Sequence, residues 1–598
     1  MHLYPSTRTL PVVLIALLAF ARGPNLCRGA TGLEQADLAR QVMLDHRYLN
    51  VPVQAGAPRR TISVIVDGRV VRAFEVELAD GPPDFWAFTD VGAWRGRQAT
   101  IRLDPVGRLS DEKSQSVSRA HPPRPDALAA LRLEEQIVDA ASLYREPLRP
   151  QFHFTTRRGW LNDPDGLVYC LGEYHLFYQY QAFSLKSLNS DKAWGHAVSR
   201  DLVHWEELPV AIYPDENGGA WSGSTLIDAR NVAGLQTGTE PPLLLFYTAA
   251  GRSAMNPKPD GPADFVQNLA FSNDRGRTWA QFAGNPILKK ITPLNRDPQV
   301  FWHEPSQRWV MVLYVGYPIS NPGNHPTAQI FNSENLKDWT YQSRVDGFFD
   351  CPVLYELPLD GDAANPRWII HCADMKYKVG RFDGKTFIPE TGLIEAHKGK
   401  AGESAYAAQI FRNMPQGRAV EMAWLYNDRA GARQMMTFPS ELSLVTTADG
   451  PRLRWQPVPE IQHLYGVAKR WRDLALTADE SPVMLGRGRH LDIQARIDLG
   501  HAREIEINLR GLPIVLHPET KELTFRGYSL PLRLKGNRLQ LRLLLDETSL
   551  EIFADDGLTY LPIAISPAAQ NDGVTVAARG GAARAEILDL VEIKSIWR

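Results

Sequence analysis

The stretch Ser199-Arg200-Asp201-Leu202-Val203-His204-Trp205 recurs twice in altered form, and this repeat decides the predicted fold. Its counterparts are Ser272-Asn273-Asp274-Arg275-Gly276-Arg277-Thr278-Trp279 and Ser333-Glu334-Asn335-Leu336-Lys337-Asp338-Trp339, and successive terminal tryptophans lie 74 and 60 residues apart. A polar turn ending in Trp at such intervals indicates one four-stranded blade per repeat. Residues 151–445 span about 290 positions, which at about 60 per blade predicts a five-bladed β-propeller. The competing interpretation is a coincidence of common turn residues.

The chain after the predicted propeller also reads as β-structure. We interpret 446–469 as a linker and 470–598 as a C-terminal β-sandwich, because short runs there alternate between apolar and polar residues. The clearest strand patterns are Leu491–Ile497, Ile505–Leu509, Leu539–Leu543 and Leu550–Phe553.

Residues 31–113 predict a small, mostly β N-terminal domain. Thr61–Val66 and Arg69–Glu77 flank Asp67-Gly68, a strong hairpin signal. Residues 114–150 read as a linker and a helix, with the helix over Asp126–Ala141 after Pro125. This part of the chain carries no catalytic constellation. We interpret it as a packing brace, with a binding module or a spacer as alternatives.

Residues 1–30 are typical of a secretory signal peptide. Arg8 precedes the apolar run Leu10–Phe20, and Ala19-Phe20-Ala21 offers a small-residue cleavage site. We therefore expect a secreted protein, extracellular or periplasmic; a buried core helix is the alternative. No later segment is long and apolar enough to predict a membrane span.

Composition narrows the possible partners. The chain has 598 residues with 66 basic and 68 acidic side chains, so a net charge of −2 gives no electrostatic argument for binding nucleic acid. The four cysteines show no metal-ligand spacing, and we expect neither a metal nor an organic cofactor. One disulfide after export stays open.

Three acidic motifs carry the candidate chemistry. They are Trp160-Leu161-Asn162-Asp163-Pro164-Asp165-Gly166, Arg296-Asp297-Pro298 and Asp350-Cys351-Pro352. Sugar hydrolysis needs a nucleophile, an acid and a group that holds the substrate, and a propeller can bring such distant carboxylates together. The alternatives without a catalytic role are a turn-capping Asx motif for Asp163 and an ordinary surface Arg-Asp pair at Asp297.

Taken together, the motifs from about residue 150 onward resemble glycoside hydrolase family 32, which contains invertases, inulinases, levanases and fructan exohydrolases. Residues 1–150 lie outside the resemblance. The matching motifs are His153-Phe154, Trp160 to Gly166, Tyr174 to Tyr180, Trp194 to Ala197, Asp201 to Trp205, Trp221 to Ser224, Arg296 to Pro298, Asp350 to Pro352, Phe382 to Gly384, Tyr406 to Gln409, Phe438 to Leu442 and Leu545 to Phe553.

The resemblance implies a retaining hydrolase that removes terminal β-D-fructofuranosyl units from fructan (levan or inulin) or sucrose. It assigns Asp163 as the nucleophile that forms a covalent fructosyl-enzyme, Asp297 as the group that holds ring hydroxyls, and Asp350 as the general acid and base. The residues that it places around the fructose pocket are Asn162, Gln179, Trp221, Ser222 and Arg296.

Two positions depart from the family pattern. The family usually has Glu where this chain has Asp350, and Asp is shorter by one bond, about 1.5 Å. The shorter side chain leaves three interpretations. The backbone lies closer to the substrate and the enzyme is active, the enzyme is slow, or the protein binds fructan without cleaving it. Glu356 and Asp346 are too distant along an extended segment to substitute. The second departure is Leu188-Asn189-Ser190, where the family often has a pocket Trp.

Three alternatives remain at this stage. One is an inverting propeller glycosidase acting on arabinan or xylan, one is a catalytically weak fructan-binding protein, and one is a fructosyltransferase, since an alcohol can capture the same covalent intermediate.

Overall fold

The computed structural model describes residues 38–187, 191–258, 264–317, 325–396, 403–427 and 433–597. They form a small N-terminal β unit, a propeller and a C-terminal sandwich, so the predicted all-β class is confirmed. The predicted signal segment 1–30, with Cys27, and Leu188-Asn189-Ser190 lie outside the described residues. Within the described part of the chain, no helix is long and apolar enough to cross a membrane.

The N-terminal unit consists of a four-stranded and a three-stranded sheet that share one apolar core. The predicted hairpin is confirmed: Asp67 and Gly68 have φ values of 50° and 75°, the left-handed conformation that a two-residue type I′ turn requires. The strands in spatial order are Ala39–Met43, Gln98–Asp104, Arg59–Val66 and Arg69–Glu77 in the first sheet, and Phe85–Asp90, Tyr48–Val53 and Arg132–Glu134 in the second.

The helix predicted over Asp126–Ala141 is wrong. Within that stretch Arg132–Glu134 forms a strand that pairs with Tyr48–Val53, so tertiary pairing overrides helix propensity. The α-helix is instead Glu112–Ala120, most of it inside the predicted linker, and the Asp111 side chain caps it by accepting the Ser114 amide at 2.7 Å. This helix is polar and mostly exposed, so no apolar periodicity announces it.

Five four-stranded blades follow. The first strand of blade 1 contacts the first strands of blades 2 and 5, which places these inner strands around a central channel. The blades are Trp160–Cys170, Glu173–Gln181, Ala193–Ser199 and Trp205–Glu207 (blade 1); Ala220–Ile227, Leu243–Ala249, Val266–Ser272 and Ala280–Gln281 (blade 2); Leu294–His303, Arg308–Gly316, Thr327–Ser333 and Thr340–Asp346 (blade 3); Val353–Leu359, Asp362–His371, Lys376–Phe382 and Phe387–Pro389 (blade 4); and Ala405–Ile410, Val420–Leu425, Ser440–Thr447 and Gly450–Pro457 (blade 5).

The repeated polar turn joins the third strand to the fourth strand in blades 1, 2 and 3, as one turn per blade predicts. A side-chain oxygen of Asp201, Asp274 or Asn335 accepts amides of the turn in each case, which explains the polar residue at that position.

The interpretation of 446–469 as a linker is wrong for much of its length. Gly450–Pro457 pairs with Ser440–Thr447 and completes blade 5, with Leu453 and Trp455 buried. The signal was hidden because proline and arginine residues alternate with these two apolar side chains.

The C-terminal unit is a sandwich of two six-stranded sheets. In spatial order its strands are Tyr465–Leu476, Ala583–Ile593, Leu491–Asp498, Arg538–Leu545, Ser549–Ala554 and Thr559–Ala564, then Val483–Arg487, Gly573–Arg579, Glu504–Leu509, Leu512–His517, Glu522–Phe525 and Tyr528–Pro531. The remaining elements are the strands Ile394–Glu395 and Met435–Met436 and the 3-10 turns Gly92–Trp94, Ala127–Ala130, Ala140–Ser142, Glu304–Ser306, Pro415–Gly417, Pro459–Leu464 and Asp555–Gly557.

A buried ionic contact docks the sandwich onto the start of the propeller. His153 contacts Asp546 at 2.8 Å and Glu551 at 3.0 Å, and all three side chains are fully buried. Burial alone lowers the pKa of His153, but the two carboxylates outweigh it and raise that pKa to about 9.

Candidate active site

Inner strands of four blades carry one extra residue near their starts, and these β-bulges build the site. In blade 1, Leu161 pairs with Tyr180 and Pro164 with Tyr178, so two residues oppose one. Comparable shifts occur between Trp221 and Gly223 in blade 2, Arg296 and Gln299 in blade 3, and Tyr406 and Gln409 in blade 5. A bulge turns side chains away from the regular pleat, so the same end of each inner strand presents polar groups at the channel mouth.

Blade 4 reaches the same place with strained backbone. Asp350 and Cys351 lie just before its inner strand, separated from it by Pro352, and have φ values of 64° and 40°; Asp297 in the blade 3 bulge also has φ 64°. Non-glycine residues adopt this left-handed region at a cost, and such strain clusters at functional sites.

Asp163 lies at the blade 1 bulge and receives two donors. The Asn162 side-chain amide donates to one carboxylate oxygen at 3.0 Å, and the Ser222 hydroxyl donates to the other at 3.0 Å. The Cys351 thiol lies 3.9 Å from Asp163 and 3.5 Å from Asp297, between the two carboxylates. Residues of four blades thus meet at one point.

Arg296 joins the other two carboxyl groups. Its Nε donates to Asp350 at 2.7 Å and lies 3.5 Å from Asp297. The Tyr406 hydroxyl donates to the second Asp350 oxygen at 2.9 Å. The Asp297 carboxylate accepts the Cys351 amide at 3.2 Å. Asp350 is therefore the better-compensated member of this pair.

That asymmetry shifts the pKa values of the two carboxyl groups in opposite directions. Burial, followed by the charge of Asp350, raises the pKa of Asp297 well above its usual range. Burial also acts to raise the pKa of Asp350, but Arg296 and the hydrogen bonds from neighbouring groups outweigh it and lower that pKa. The two carboxyl groups interact, and Asp297 is the member of the pair that favours the protonated form.

Lys192 and Trp221 line the pocket beside Asp163. The Lys192 ammonium donates to the side-chain amide oxygen Oδ1 of Asn162 at 2.9 Å, which fixes the orientation in which the Asn162 amide nitrogen donates to Asp163. The ammonium also lies 5.8 Å from the Trp221 ring centre. Trp221 packs edge-to-face on Phe265 at 4.9 Å, so an aromatic wall is present without residues 188–190.

The predicted site residues converge, with one exception. Seven of them make the contacts above, whereas Gln179 lies one layer below: its amide donates to the buried Asp165 carboxylate at 2.9 Å and to the Ala220 carbonyl. Glu356, the rejected substitute acid, lines a separate cavity beside Val300 and Trp368, as its distance along the strand predicts.

Sequence reasoning missed Lys192 and Tyr406 as pocket residues. Tyr406 belongs to a motif that supports the family resemblance, but that motif does not indicate that its hydroxyl binds Asp350. Lys192 had no signal, because a lysine before an apolar strand is common.

The cluster of Asp297, Asp350 and Cys351 is a poor metal site, because the Cys351 thiol favours its protonated form. Asp297, Asp350 and Cys351 offer potential ligand atoms within 4.8 Å of one another. A metal needs the thiolate form of cysteine, but burial and the adjacent carboxylates raise the pKa of Cys351 well above its usual value. The other cysteines that the structure describes, Cys170 and Cys372, are likewise buried free thiols.

A propeller whose inner strand ends gather three carboxyl groups at one channel mouth is the arrangement expected of a glycoside hydrolase. The comparison with protein families agrees. The family model "Glycosyl hydrolases family 32 N-terminal domain" matches residues 153–457, and "Glycosyl hydrolases family 32 C terminal" matches residues 477–595. The chain belongs to glycosyl hydrolases family 32, and the predicted resemblance is confirmed.

Individual relatives cover the same region. A levanase of Bacillus subtilis is 34% identical over 513 residues, which are 77% of this chain and 73% of the relative. An extracellular exo-inulinase of Aspergillus niger is 29% identical over 537 residues, 76% of this chain and 96% of the relative. The crystal structure of exo-inulinase from Aspergillus awamori superimposes with a TM-score of 0.66 at 26% identity, covering 76% of this chain and all of that one.

Proposed function

We propose that the protein is a retaining β-fructofuranosidase that releases terminal fructose from fructan or sucrose. The observation that carries the proposal is the convergence of Asp163, Asp297 and Asp350 from three blades, with the Cys351 thiol between two of them and Arg296 joining the other pair. The named activities of the levanase and exo-inulinase relatives support a fructan as the substrate.

In this proposal Asp163 is the nucleophile. Its carboxylate attacks the anomeric carbon of the terminal fructosyl unit, the glycosidic bond breaks, and a covalent fructosyl-enzyme forms. Asn162 and Ser222 hold the carboxylate oxygens in place for attack. Water then displaces Asp163 from the same carbon and releases fructose with net retention.

Asp350 is the acid and base, and Asp297 supplies its proton. When two ring hydroxyls of fructose donate to Asp297, they favour its ionised form, because a carboxylate accepts such bonds better than a carboxylic acid. The proton then passes to Asp350, which donates it to the leaving-group oxygen. In the second step the Asp350 carboxylate takes a proton from the attacking water. Substrate binding itself thus loads the acid.

This mechanism requires no Glu at position 350. Arg296 and Tyr406 already hold both Asp350 oxygens, and the backbone at this position is left-handed. An added methylene in Asp350→Glu has to displace these partners. We therefore expect the variant to lose activity, on the order of tenfold to a hundredfold, through misplacement of the carboxyl group.

The test measures free fructose from sucrose, inulin and levan with the wild type and Asp350→Glu, together with transfer products by chromatography. Release by the wild type and slower release by the variant support the proposal. No release by the wild type, with release appearing in Asp350→Glu, would identify a fructan-binding protein instead. Fructosylated acceptors in place of free fructose would identify a transferase.

We also propose export through the N-terminal apolar segment. The name of the extracellular exo-inulinase relative supports an extracellular enzyme of this kind. N-terminal sequencing of the protein recovered from the culture medium or the periplasm tests it. A start near residue 22 agrees with the predicted cleavage site, and an intact Met1 contradicts it.

A further inference from the structure

A cavity of about 290 Å³ lies between the N-terminal unit and blade 1, apart from the carboxylate site. Asp163, Asp297 and Asp350 do not line it. Tyr48 and Phe88 contribute rings from the N-terminal unit, and Phe183 and Tyr213 contribute rings from the propeller. One wall therefore belongs to the part of the chain that precedes the family match at residue 153.

The walls are fixed before any ligand arrives. Phe74 of the N-terminal unit stacks on Phe183 with ring centres 3.7 Å apart. The Arg72 guanidinium lies over the Tyr213 ring at 3.7 Å. Arg108 also donates to the Ala254 carbonyl at 3.2 Å. These contacts join the two units on either side of the cavity, so a ligand would meet a preformed site.

Charged side chains of both signs line the cavity, and half of them form ion pairs. Arg47 binds Asp90 at 2.9 Å, and Arg157 lies 3.5 Å from a carboxylate oxygen of Glu207. The others are Arg72, Glu75, Asp191 and Glu206, so a neutral ligand rich in hydroxyl groups can donate hydrogen bonds to carboxylates and accept them from a guanidinium group. The rings add apolar faces. Rings beside carboxylate and guanidinium groups suit a neutral sugar, whose C–H faces pack on aromatics while its hydroxyls bond to charged groups.

The cavity and the active site share one wall. Asp191 and Ala193 line the cavity, while Lys192 between them reaches Asn162 in the active site. Successive residues of extended chain point to opposite sides, which explains the division. The Asp191 carboxylate accepts the Ala254 amide at 3.3 Å through one oxygen, and among the described residues no further donor to Asp191 is seen.

We propose that this cavity is a second carbohydrate site, which holds interior fructosyl units of a fructan chain while the enzyme hydrolyses chain ends. The ligand class rests on the proposed function, whereas the site itself rests on the cavity. The N-terminal unit then adds affinity for polymer and leaves the chemistry of the bond unchanged.

The test compares Tyr48→Ala and Phe88→Ala with the wild type on levan, inulin and sucrose. Tyr341→Ala, which removes an exposed ring on the outer strand of blade 3, is the matched control. We expect KM for one polymer to rise about fivefold to tenfold in both cavity variants, as loss of aromatic contacts predicts, with kcat and KM for sucrose unchanged. Unchanged polymer kinetics, or an equal loss on sucrose and polymer, would overturn the proposal.

A binding measurement separates this site from the proposed function. Gel electrophoresis through embedded levan or inulin measures polymer affinity in the Asp163→Ala background, where cleavage is not required. Weaker retardation on adding Phe88→Ala supports the second site, and equal retardation contradicts it. If the wild type releases no fructose but the gel still responds to Phe88→Ala, the proposed function fails and the carbohydrate site stands.

Discussion

Two buried clusters in this protein each place two carboxyl groups around one cation, and they complete their hydrogen bonding differently. Between propeller and sandwich, Asp546 accepts the amides of Gln151, Phe152 and His153 in addition to the His153 ring. Glu551 likewise accepts the Phe438 amide and the Tyr560 hydroxyl besides the His153 ring.

At the channel mouth the corresponding cluster is less complete. Arg296 faces Asp350 and Asp297, both on left-handed backbone, and the raised pKa of Asp297 favours its protonated form. Asp350 is only partly buried by its neighbours, so it can reach a ligand. The comparison teaches that a closed ionic cluster suits docking, whereas an incomplete and strained one suits the proton transfer that we propose for it.

The largest expected effect comes from Asp163, beside the incomplete cluster. Asp163→Ala should lower kcat for fructose release by about 10⁴-fold or more, because no other carboxylate can form the covalent intermediate. The melting temperature should stay near the wild-type value. Glu356→Gln is the control, since Glu356 is an exposed carboxylate at another cavity, and its activity should match the wild type. Fructose release that survives Asp163→Ala would refute the nucleophile assignment.

Substitution in the closed cluster of His153, Asp546 and Glu551 should lower the free energy of unfolding. His153→Ala leaves Asp546 and Glu551 as buried carboxylates without their cation, which should destabilise the fold by about 3–5 kcal/mol. Urea unfolding followed by tryptophan fluorescence measures the loss. The remaining folded enzyme should retain its kcat. A normal unfolding midpoint with impaired kcat would reverse the division of roles between the clusters.

The pH dependence of unfolding sharpens the same point. The pKa of His153 is raised from 6.5 to about 9 in the fold, so its contribution is complete below pH 6.5 and declines as pH rises toward 9. The pKa of Asp546 is lowered from 3.8 to about 2, so its contribution declines as pH falls from 3.8 toward 2. Urea midpoints should therefore decrease from pH 6.5 to pH 9, and less steeply in His153→Gln. Parallel slopes in both proteins would contradict the assignment.

A smaller effect is expected at Tyr406. Tyr406→Phe removes a hydrogen bond to the Asp350 carboxylate. Because that bond stabilises the ionised form, its removal favours the protonated form of the Asp297–Asp350 pair. Because the acid step needs that proton, the alkaline limb of the pH–rate profile should move to higher pH, by roughly half a unit to one unit. A limb that stays in place, or moves to lower pH, would show that Tyr406 does not tune the pair.

Much of this architecture could be predicted from the sequence, because strong local chemistry carries it. Turn-forming side chains such as Asp201 and Asp274 mark the blades, and the acidic turns at Asp163, Asp297 and Asp350 mark the site. The β-bulges could not be predicted, since a one-residue register shift appears only when strands pair. For the same reason the link from Tyr406 to Asp350, across 56 residues, was invisible.

The other elements that the sequence did not predict have weak local sequence patterns. Glu112–Ala120 lacks an apolar face that would predict a helix. Arg132–Glu134 is a strand because of its partner, and Lys192 becomes a pocket residue because of Asn162 opposite it. Such positions depend on tertiary neighbours that a local pattern does not contain.

The most direct test of the central claim is to trap the covalent intermediate. Asp350→Asn is mixed with p-nitrophenyl β-D-fructofuranoside, whose leaving group needs no acid, and the quenched protein is mapped by mass spectrometry. Without a base at position 350 the second step is slow, so one fructosyl unit should accumulate on the peptide that contains Asp163. An adduct on another peptide, or continued p-nitrophenol release with no adduct at all, would contradict the account.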